Sequence, residues 1–456
     1  MSTTQPPGAA DSAALERSTI RAVSRRVLPI MFLLYLVAYV DRISLGFAQL
    51  RMGTELALDP AMFGLAAGIF FAGYILLEVP SGVALDRFGA RIWMTRIGVT
   101  WGLVTILTGF VQNDVQLIIA RFLLGAAEAG LAPGVVLFAM RLFPAAHRAK
   151  ANAVVFLGSP LAAAVAGPIC GVILDHVDWF GLSSWRWIFI LTGIPAVLLG
   201  ILTYRRLTDR PAEATWLTDD QRTWLIDAIA KEPRAAKHSG NALFASLRNP
   251  SVVLLGLVQF LIVSGGFGLS YWSPQIVKGL SGEVTATAVG LLVMIPYLLA
   301  AAAMYGNGVH SDRTGERTFH ASTGPLVSGL ALISIPFITD NNVVAFLLLA
   351  LGTASLNAYA APFWTISQKL FAGPNAAVAI AMVTTIGNLG GLLAPYIFGL
   401  LTGATGSTSA GITYLGCGTL IAAAILVVGR NRWSRGPMAE QPAELAVRAK
   451  SPRDLP

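Results

Sequence analysis

Long apolar windows alternate with short polar intervals along almost the whole chain. A membrane-spanning helix needs about 20 mostly apolar residues, and each window reaches that length. Six windows precede one long polar interval and six follow it, which predicts an all-α membrane protein of 12 transmembrane helices in two pseudo-symmetric six-helix bundles. The windows cover residues 27–49, 61–82, 92–111, 115–140, 150–173, 187–206, 250–272, 285–307, 320–338, 343–367, 376–400 and 411–429.

A short motif occurs once in each half. Residues 82–91 read G-x-x-x-D-R-x-G-x-R, and residues 308–317 repeat the pattern 226 positions later. Each copy follows the second apolar window of its half. Repetition at this distance predicts two halves that arose by duplication, which is typical of secondary transporters. The alternative is two unrelated basic turns.

The composition supports the membrane class. Of the 456 residues, 55% are hydrophobic and only 12% are charged, whereas soluble domains carry about 25% charged residues. Too few charges are present to cover a water-soluble surface of this size. The net charge of +8 is explained by the placement of basic residues in loops, so we do not expect a nucleic-acid partner. Cys170 and Cys417 lie in separate apolar windows and predict neither a disulfide framework nor a metal site.

The placement of Lys and Arg predicts the orientation. With the N-terminus in the cytoplasm, all but six of the 32 Lys and Arg residues lie on the inner side or its flanks. The positive-inside rule therefore predicts that both termini are cytoplasmic. The six exceptions are Arg51, Arg186 and Lys278 outside, with Arg42, Arg96 and Arg121 inside apolar windows.

The same pattern predicts the domain boundaries. A cytoplasmic segment, 1–26, precedes a first six-helix bundle at 27–206. A cytoplasmic connector at 207–249 leads to a second bundle at 250–430, and a disordered cytoplasmic tail covers 431–456. Within the connector, residues 216–229 are expected to form an amphipathic helix at the membrane surface.

Two further stretches carry a family resemblance. Residues 39–48 read YVDRISLGFA in the first window, and residues 121–133 read RFLLGAAEAGLAP in the fourth. Together with the duplicated motif they resemble the major facilitator superfamily over nearly the whole chain, and within it the anion:cation symporter family. Residues 271–278 and 310–317 are most similar to bacterial tartrate, phthalate and hydroxyphenylacetate permeases.

The resemblance implies a function. It implies a proton-coupled secondary transporter of the bacterial inner membrane that imports a small organic anion by alternating access. The implied substrate is a carboxylate such as tartrate, phthalate, hydroxyphenylacetate or a sugar acid. The implied partners are this anion, the proton and the lipid bilayer, and a monomer is expected.

Ionisable side chains inside the windows are the strongest candidates for function. Each costs at least ~2.5 kcal/mol even on insertion scales, so each needs a compensating role. The second half offers none at mid-membrane depth. All six lie in the first half: Asp41, Arg42, Glu78, Arg96, Arg121 and Glu128.

Four of these charges are expected to meet in one cavity. Asp41, Arg42 and Arg121 fall at a similar depth, and Glu128 lies slightly deeper; Arg121 and Glu128 share one helix face because they are seven residues apart. A carboxylate that loses an arginine partner in a desolvated site binds a proton near neutral pH. An anion that takes the arginine can therefore recruit a proton. The alternative is a static ion-pair network.

The resemblance assigns roles within this group. It implies that Arg42 holds the substrate carboxylate and that Glu128 is the proton site coupled to it. Asp41 is implied as a second proton-coupling residue, with Arg121 as its partner and as part of the substrate site. Uncharged substrate contacts are predicted at Tyr39, Tyr74, Trp364 and Asn388, with helix packing as the alternative for each.

Charged residues at the predicted cytoplasmic turns are interpreted as a gate. Glu78 and Arg96 are expected to brace the inner ends of the second and third windows. The duplicated motif contributes groups that can cap helix ends and bridge the bundles, with positive-inside signalling as the alternative. These are Asp86, Arg87, Arg91, Asp312, Arg313 and Arg317.

Other chemistry finds no support in the sequence. No G-x-x-x-x-G-K-[ST] phosphate loop occurs, so ATP is not expected to drive the protein. The five histidines cannot be assembled into a zinc site or a catalytic set, so neither an enzyme nor a cofactor other than the proton is predicted. Two rival functions remain open: a proton antiporter that exports drugs or metabolites, and a membrane sensor that does not transport.

Overall fold

The structure is a computed structural model that describes residues 9–232, 246, 248–371 and 376–433, and these residues contain helices and turns but no strand. The all-α fold predicted from the sequence is therefore confirmed. Predicted features at 1–8 and 434–456, including most of the C-terminal tail, lie outside the described residues.

Nine helices precede the gap in the connector. In chain order they are α1 (Ala9–Glu55), α2 (Pro60–Phe88), α3 (Ala90–Thr108), α4 (Asp114–Glu128), α5 (Leu131–Leu142), α6 (Ala145–Phe156), α7 (Gly158–His176), α8 (Ser184–Arg206) and α9 (Asp219–Ala230). Short 3₁₀ turns occur at Trp179–Gly181 and Pro211–Glu213.

The second half contains eight described helices and one further 3₁₀ turn, Ile335–Phe337. The helices are α10 (Pro250–Ser281), α11 (Ala286–Thr314), α12 (Thr318–Ser334), α13 (Asn342–Asn357), α14 (Ala360–Leu370), α15 (Ala376–Thr405), α16 (Thr408–Val428) and α17 (Arg430–Trp433).

Membrane spans follow the predicted windows closely. Among the described residues, 11 helical segments are long and apolar enough to cross a bilayer. Three of them join consecutive helices, namely α4 with α5, α6 with α7, and α13 with α14. The remaining predicted window, 92–111, corresponds to α3, which has 19 residues. This helix carries Arg91 and Arg96 and is not among the 11 segments.

The helices pack into two compact units. Unit 1 contains α1 to α9 together with residues 270–298 and 395–404, and unit 2 contains the described parts of 235–269, 299–394 and 405–456. By packing, the end of α10, the start of α11 and the end of α15 thus belong with the first half. The bundle boundaries at 206 and 250 stay a prediction about domains.

Small residues explain how these later segments pack so closely in unit 1. A Cβ on Gly46 would lie 2.7 Å from the carbonyl oxygen of Tyr271, and one on Gly167 would lie 2.5 Å from that of Gly290. Helices approach this closely where side chains are absent. Contacts of this kind lie toward the end of unit 1 at which α1 finishes, which we call the far end.

Polar helices extend unit 1 at the other end. α1 begins at Ala9, well before its apolar window, and α9 occupies most of the predicted 216–229 stretch. A capping box between Thr218 and Gln221 starts α9. The connector also reaches α6, where Arg148 Nη2 lies 2.5 Å from Glu232 Oε2.

Both copies of the duplicated motif need their second glycine for backbone reasons. Gly89 has φ 88° and Gly315 has φ 70°. Residues with a side chain rarely adopt such left-handed values. The two glycines therefore allow the tight turns that join α2 to α3 and α11 to α12.

Candidate functional site

Unit 1 brings four charged residues from α1 and α4 into its interior. Asp41 is 1% exposed, Arg42 is 8% exposed, and Arg121 and Glu128 are fully buried. Two cations and two acids lie in one cluster, as the spacing of the residues predicted. Pairing of opposite charges lowers the cost of burying such groups in a membrane protein.

Arg42 is the centre of the cluster. Its Nη2 donates to Glu128 Oε1 in a buried ion pair. Three aromatic rings surround the guanidinium, with centroids 4.9 Å away for Tyr39, 4.9 Å for Phe70 and 5.4 Å for Tyr74. Cation–π attraction stabilises an arginine in this position. Tyr39 and Tyr74 were predicted as substrate contacts, whereas Phe70 was missed because its position looks like ordinary packing.

Asp41 is held by uncharged donors from α3. Trp101 Nε1 donates to Asp41 Oδ2 at 3.1 Å, and Thr105 Oγ1 donates to the same oxygen at 3.2 Å. Both donors are fully buried. They are four residues apart and so lie on one face of α3. That spacing was the available signal, and the sequence interpretation did not use it.

Arg121 makes different contacts from those expected. Its Nε donates to the carbonyl of Ala66 at 3.3 Å and its Nη2 to the hydroxyl of Tyr271 at 3.3 Å. The Phe70 ring centroid lies 5.2 Å from its guanidinium carbon. Across the described ranges Arg121 forms no ion pair with Asp41, so the expected second pair is not formed in this conformation.

Glu128 lies at a break between two helices. α4 ends at this residue, and Gly130 has φ 94°, so α5 starts in a new direction. The break frees backbone carbonyls, which need other donors. Ser81 Oγ donates to Ala129 O at 2.6 Å, and Arg96 Nη1 donates to Ala127 O at 3.0 Å. Glu128 is thereby held beside Arg42 at the end of a helix.

The predicted brace between Glu78 and Arg96 is not formed. Besides Ala127 O, Arg96 contacts the ring of Trp93, with its guanidinium carbon 4.2 Å from the centroid. Glu78 is partly buried on α2, and the part of the chain that the structure describes contains no ion pair between it and Arg96. Arg96 instead donates a hydrogen bond to a backbone carbonyl at the helix break.

The first motif copy is linked to neighbouring helices of unit 1. Asp86 lies 3.5 Å from Arg141, which also lies 3.5 Å from Asp209. The backbone N–H of Arg91 donates to Asp209 Oδ1 at 2.9 Å. The predicted gate residue Arg87 rests on the neighbouring ring of Phe88, at 5.4 Å. These contacts tie the motif turn to the ends of α5 and α8.

The second motif copy is linked internally within unit 2. Arg317 Nη1 donates to Asp312 Oδ1 at 2.6 Å and to Ser311 Oγ at 2.9 Å. Ser311 Oγ in turn donates to the carbonyl of Glu316 at 2.6 Å. Arg313 is exposed. Equivalent motif positions thus make different contacts in the two halves.

The two predicted site residues of the second half lie in unit 2. Trp364 is half-buried and packs edge-on against Phe363, with centroids 5.2 Å apart. Asn388 is half-buried on α15, beside a buried glycine at position 387. Nearby in the same unit, Tyr359 donates its hydroxyl to Gln259 Oε1 at 3.1 Å.

The chemistry of the cluster is that of ion-pair exchange. Among its four charged residues, Arg42 is the most exposed to solvent, at 8%, whereas the other three are at most 1% exposed. A carboxylate reaching Arg42 would compete directly with Glu128 for one guanidinium. Within the described ranges, no group of three or more His, Cys, Asp or Glu side chains is placed to hold a metal ion.

A buried charged cluster inside a bundle of long apolar helices defines a membrane transporter rather than an enzyme. The family model described as Major Facilitator Superfamily matches residues 31–395. The chain belongs to this superfamily. The resemblance read from the motifs is confirmed at this level.

Individual relatives cover most of the chain. One from Agrobacterium vitis, named "Putative tartrate transporter", is 38% identical over 420 residues and aligns with 92% of this chain and 96% of its own. A "Quinolone resistance transporter" from Acinetobacter baumannii is 36% identical over 403 residues, covering 88% and 92%. Among solved structures, a D-xylose-proton symporter shares the fold with a TM-score of 0.71 at 16% identity, covering 88% of this chain and 96% of the other.

Proposed function

We propose that this transporter imports a small organic anion together with protons by alternating access. The observation that carries the proposal is the buried ion pair between Arg42 and Glu128. A substrate carboxylate that takes Arg42 leaves Glu128 without its cation. A buried carboxylate without a cation binds a proton readily, so anion and proton enter together and the cluster stays neutral.

The surroundings of Arg42 support a carboxylate substrate. The aromatic faces of Tyr39 and Tyr74 line the guanidinium and suit a planar acid. We propose Trp364 and Asn388 as contacts from the second half. The relative from Agrobacterium vitis, whose name refers to tartrate, adds weight to this class. In the same scheme Asp41 is the second proton-coupling residue and Arg121 its partner.

We further propose the bacterial inner membrane as the location and a monomer as the working unit. The distribution of Lys and Arg supports an orientation with both termini in the cytoplasm. The far end of unit 1 then faces the periplasm. On this assignment the motif residues Asp86, Arg87, Arg91, Asp312, Arg313 and Arg317 act at the cytoplasmic gate, together with Glu78 and Arg96.

Replacement of Glu128 by Gln tests the coupling. In proteoliposomes with an imposed pH gradient, Glu128→Gln should lose uphill accumulation but keep exchange of internal for external substrate. A matched control is Glu283→Gln, which makes the same change at an exposed turn position outside the Arg42 pair and should keep the accumulation ratio. Normal accumulation by Glu128→Gln would contradict the proposal.

The substrate class can be found without knowing the transport direction. Ligand binding raises thermal stability by mass action, by about 2.7 kcal/mol at 100 times Kd. Purified protein should be heated with tartrate, phthalate, 4-hydroxyphenylacetate and a hexonate in turn. The true class should raise Tm in wild type but much less in Arg42→Met.

Proton antiport with drug or metabolite export is the second candidate. It is favoured by the name of the Acinetobacter baumannii relative. The direction of proton movement separates the two functions. When substrate is added outside proteoliposomes, symport should acidify the interior, whereas antiport should make it more alkaline.

A further inference from the structure

Tyr271 comes from the second half of the chain but packs in unit 1, where it contacts the charged cluster. It lies on α10 and is fully buried. Its hydroxyl accepts a hydrogen bond from Arg121 Nη2 at 3.3 Å. Arg121 is thus engaged by an uncharged group from α10.

This contact depends on close packing of α10 against α1. The Tyr271 carbonyl lies where a Cβ on Gly46 would approach it to 2.7 Å. One turn further along α10, Gln275 Nε2 donates to Gly46 O at 3.1 Å. The neighbouring Trp272 stacks on Phe398 with centroids 4.6 Å apart. Tyr271 therefore reaches Arg121 only while the far end of α10 is docked in unit 1.

Asp41 and Tyr271 are alternative partners for Arg121 in this cluster. Within the described chain, Asp41 Oδ1 and Arg121 Nη1 have no hydrogen-bond partner, although both are buried. An ionised acid buried without an ion-pair partner is costly, and protonation removes that cost. The arrangement is the one expected for a protonated Asp41 with Arg121 turned to Tyr271.

We propose that Tyr271 is a positioning residue that links closure of the far end to proton occupancy of Asp41. The inference rests on the proposed proton coupling. When Asp41 is ionised, Arg121 pairs with it and is lost to Tyr271, which disfavours docking of α10. When a proton from the outer solution binds Asp41, Arg121 is released to the Tyr271 hydroxyl and docking becomes favourable.

The same exchange resets the empty carrier. Once Asp41 gives its proton to the opposite solution, Arg121 returns to the carboxylate and the bond to Tyr271 breaks. The far end then opens again. Proton binding thus favours closure of the far end, and proton release favours its opening.

Other charged and titratable groups around Asp41 must be considered in any pH response. α3 contributes the uncharged donors Trp101 and Thr105. The titratable or charged neighbours are Arg42 on α1, Arg121 and Glu128 on α4, Cys170 on α7 and Tyr271 on α10. Arg42 is already paired with Glu128, so Arg121 is the cation left to respond to Asp41.

A pH titration of closure tests the proposal without any substrate. Spin labels at Val115→Cys and Glu283→Cys report the separation of α4 from the α10–α11 turn at the far end. Cys417 is replaced by Ser, and the fully buried Cys170 is kept. The ratio of closed to open populations is measured at pH 8 and pH 5 in wild type, Tyr271→Phe and Gln275→Met.

The proposal expects the closed-to-open ratio of wild type to rise about tenfold on acidification, the effect of one unit of difference in proton affinity between the two states. Tyr271→Phe should flatten this rise to less than about threefold. Gln275→Met removes a docking bond that does not involve Arg121, so it should lower the ratio equally at both pH values and keep the tenfold rise.

An unchanged rise in Tyr271→Phe, or a wild type whose closure does not respond to pH, would overturn the inference. The proposed function is judged separately by uphill accumulation in proteoliposomes. If wild type accumulates substrate with the pH gradient while Tyr271→Phe keeps the full rise, only the role of Tyr271 fails. If wild type shows no proton-driven accumulation, the coupling itself fails.

Discussion

Ser81 and Asn307 stand one repeat apart and make the same kind of bond in their own units. Ser81 Oγ donates to Ala129 O at 2.6 Å, and Asn307 Nδ2 donates to Ala358 O at 2.7 Å. Each carbonyl lies where a membrane span is broken, between α4 and α5 or between α13 and α14. Their separation of 226 positions (307 minus 81) equals that of the two motif copies. The two halves thus share a broken helix and a polar side chain, at the matching position, that donates a hydrogen bond to a carbonyl at the break.

Loss of the Ser81 hydroxyl should destabilise the protein. Ser81→Ala leaves the buried Ala129 carbonyl without this donor, at a cost of about 1–3 kcal/mol. The drop should appear as a lower Tm of the purified protein in detergent. Ser44→Ala is the matched control, because the Ser44 hydroxyl bonds the Asp41 carbonyl within a continuous helix. An equal drop in both variants would contradict this account of the break.

Asp175 should stabilise the start of α11. Its Oδ2 accepts from the backbone N–H and the hydroxyl of Thr287, each at 2.7 Å, and its Oδ1 accepts from the N–H of Ala286 at 3.1 Å. A carboxylate at a helix N-terminus contributes about 0.5–2 kcal/mol. Asp175→Ala should therefore lower Tm, and Asp175→Asn should lower it less. Asp178→Ala, at an exposed position three residues on, should leave Tm nearly unchanged.

Glu316, in the turn of the second motif copy, should make the stability of the protein depend on pH. Burial alone would raise the pKa of this carboxyl, but hydrogen bonds from the N–H of Phe319 and from His320 outweigh it, and the folded-state pKa lies below the usual value. A depressed pKa stabilises the fold above the unfolded-state value of about 4.3. That contribution is lost as pH falls through the folded-state pKa.

The measurement compares Glu316→Gln with wild type by thermal unfolding between neutral and acid pH. The variant should be less stable at pH 7, and the gap should narrow below the usual glutamate pKa as the wild-type carboxylate is protonated. Glu283→Gln, at an exposed turn position, serves as the control. A gap of constant size at every pH would contradict the assignment.

Apolar windows were sufficient to predict the helices that cross the membrane, because burial in lipid requires long apolar stretches. The position of Arg121 and Glu128 near Arg42 was also predictable, since the two share one helix face and lie at a depth similar to that of Arg42. Polar helices were harder to predict from the sequence. The first turns of α1 from Ala9 carry no apolar window, although their alanines and charged residues favour a helix.

The contacts that the sequence did not reveal join distant residues. The break after Glu128 is invisible because the apolar window continues through it, and Gly130 is one of 46 glycines. The bond between Arg121 and Tyr271 joins residues 150 positions apart. The packing of residues 270–298 with the first half depends on which helices approach through glycines. Hydropathy does not carry that information.

Gly125 should be intolerant of a side chain, because α2 and α4 pack together at this point. A Cβ at Gly125 would collide with the backbone carbonyl of Phe70, whose ring contacts both Arg42 and Arg121. The helices would have to separate, since the backbone carbonyl cannot move aside on its own. We expect Gly125→Ala to lower Tm and to weaken ligand stabilisation by disturbing the rings around Arg42.

Gly266→Ala is the matched control for this variant. Gly266 also lies inside a long helix, and a Cβ built there meets no atom within 4 Å. Alanine favours a helix over glycine by up to about 1 kcal/mol, so Gly266→Ala should keep or slightly raise Tm. Both changes add one methyl group to a helical glycine and differ in what that methyl group meets. If the two variants unfold at the same temperature, close packing of α2 against α4 is not what positions the aromatic rings.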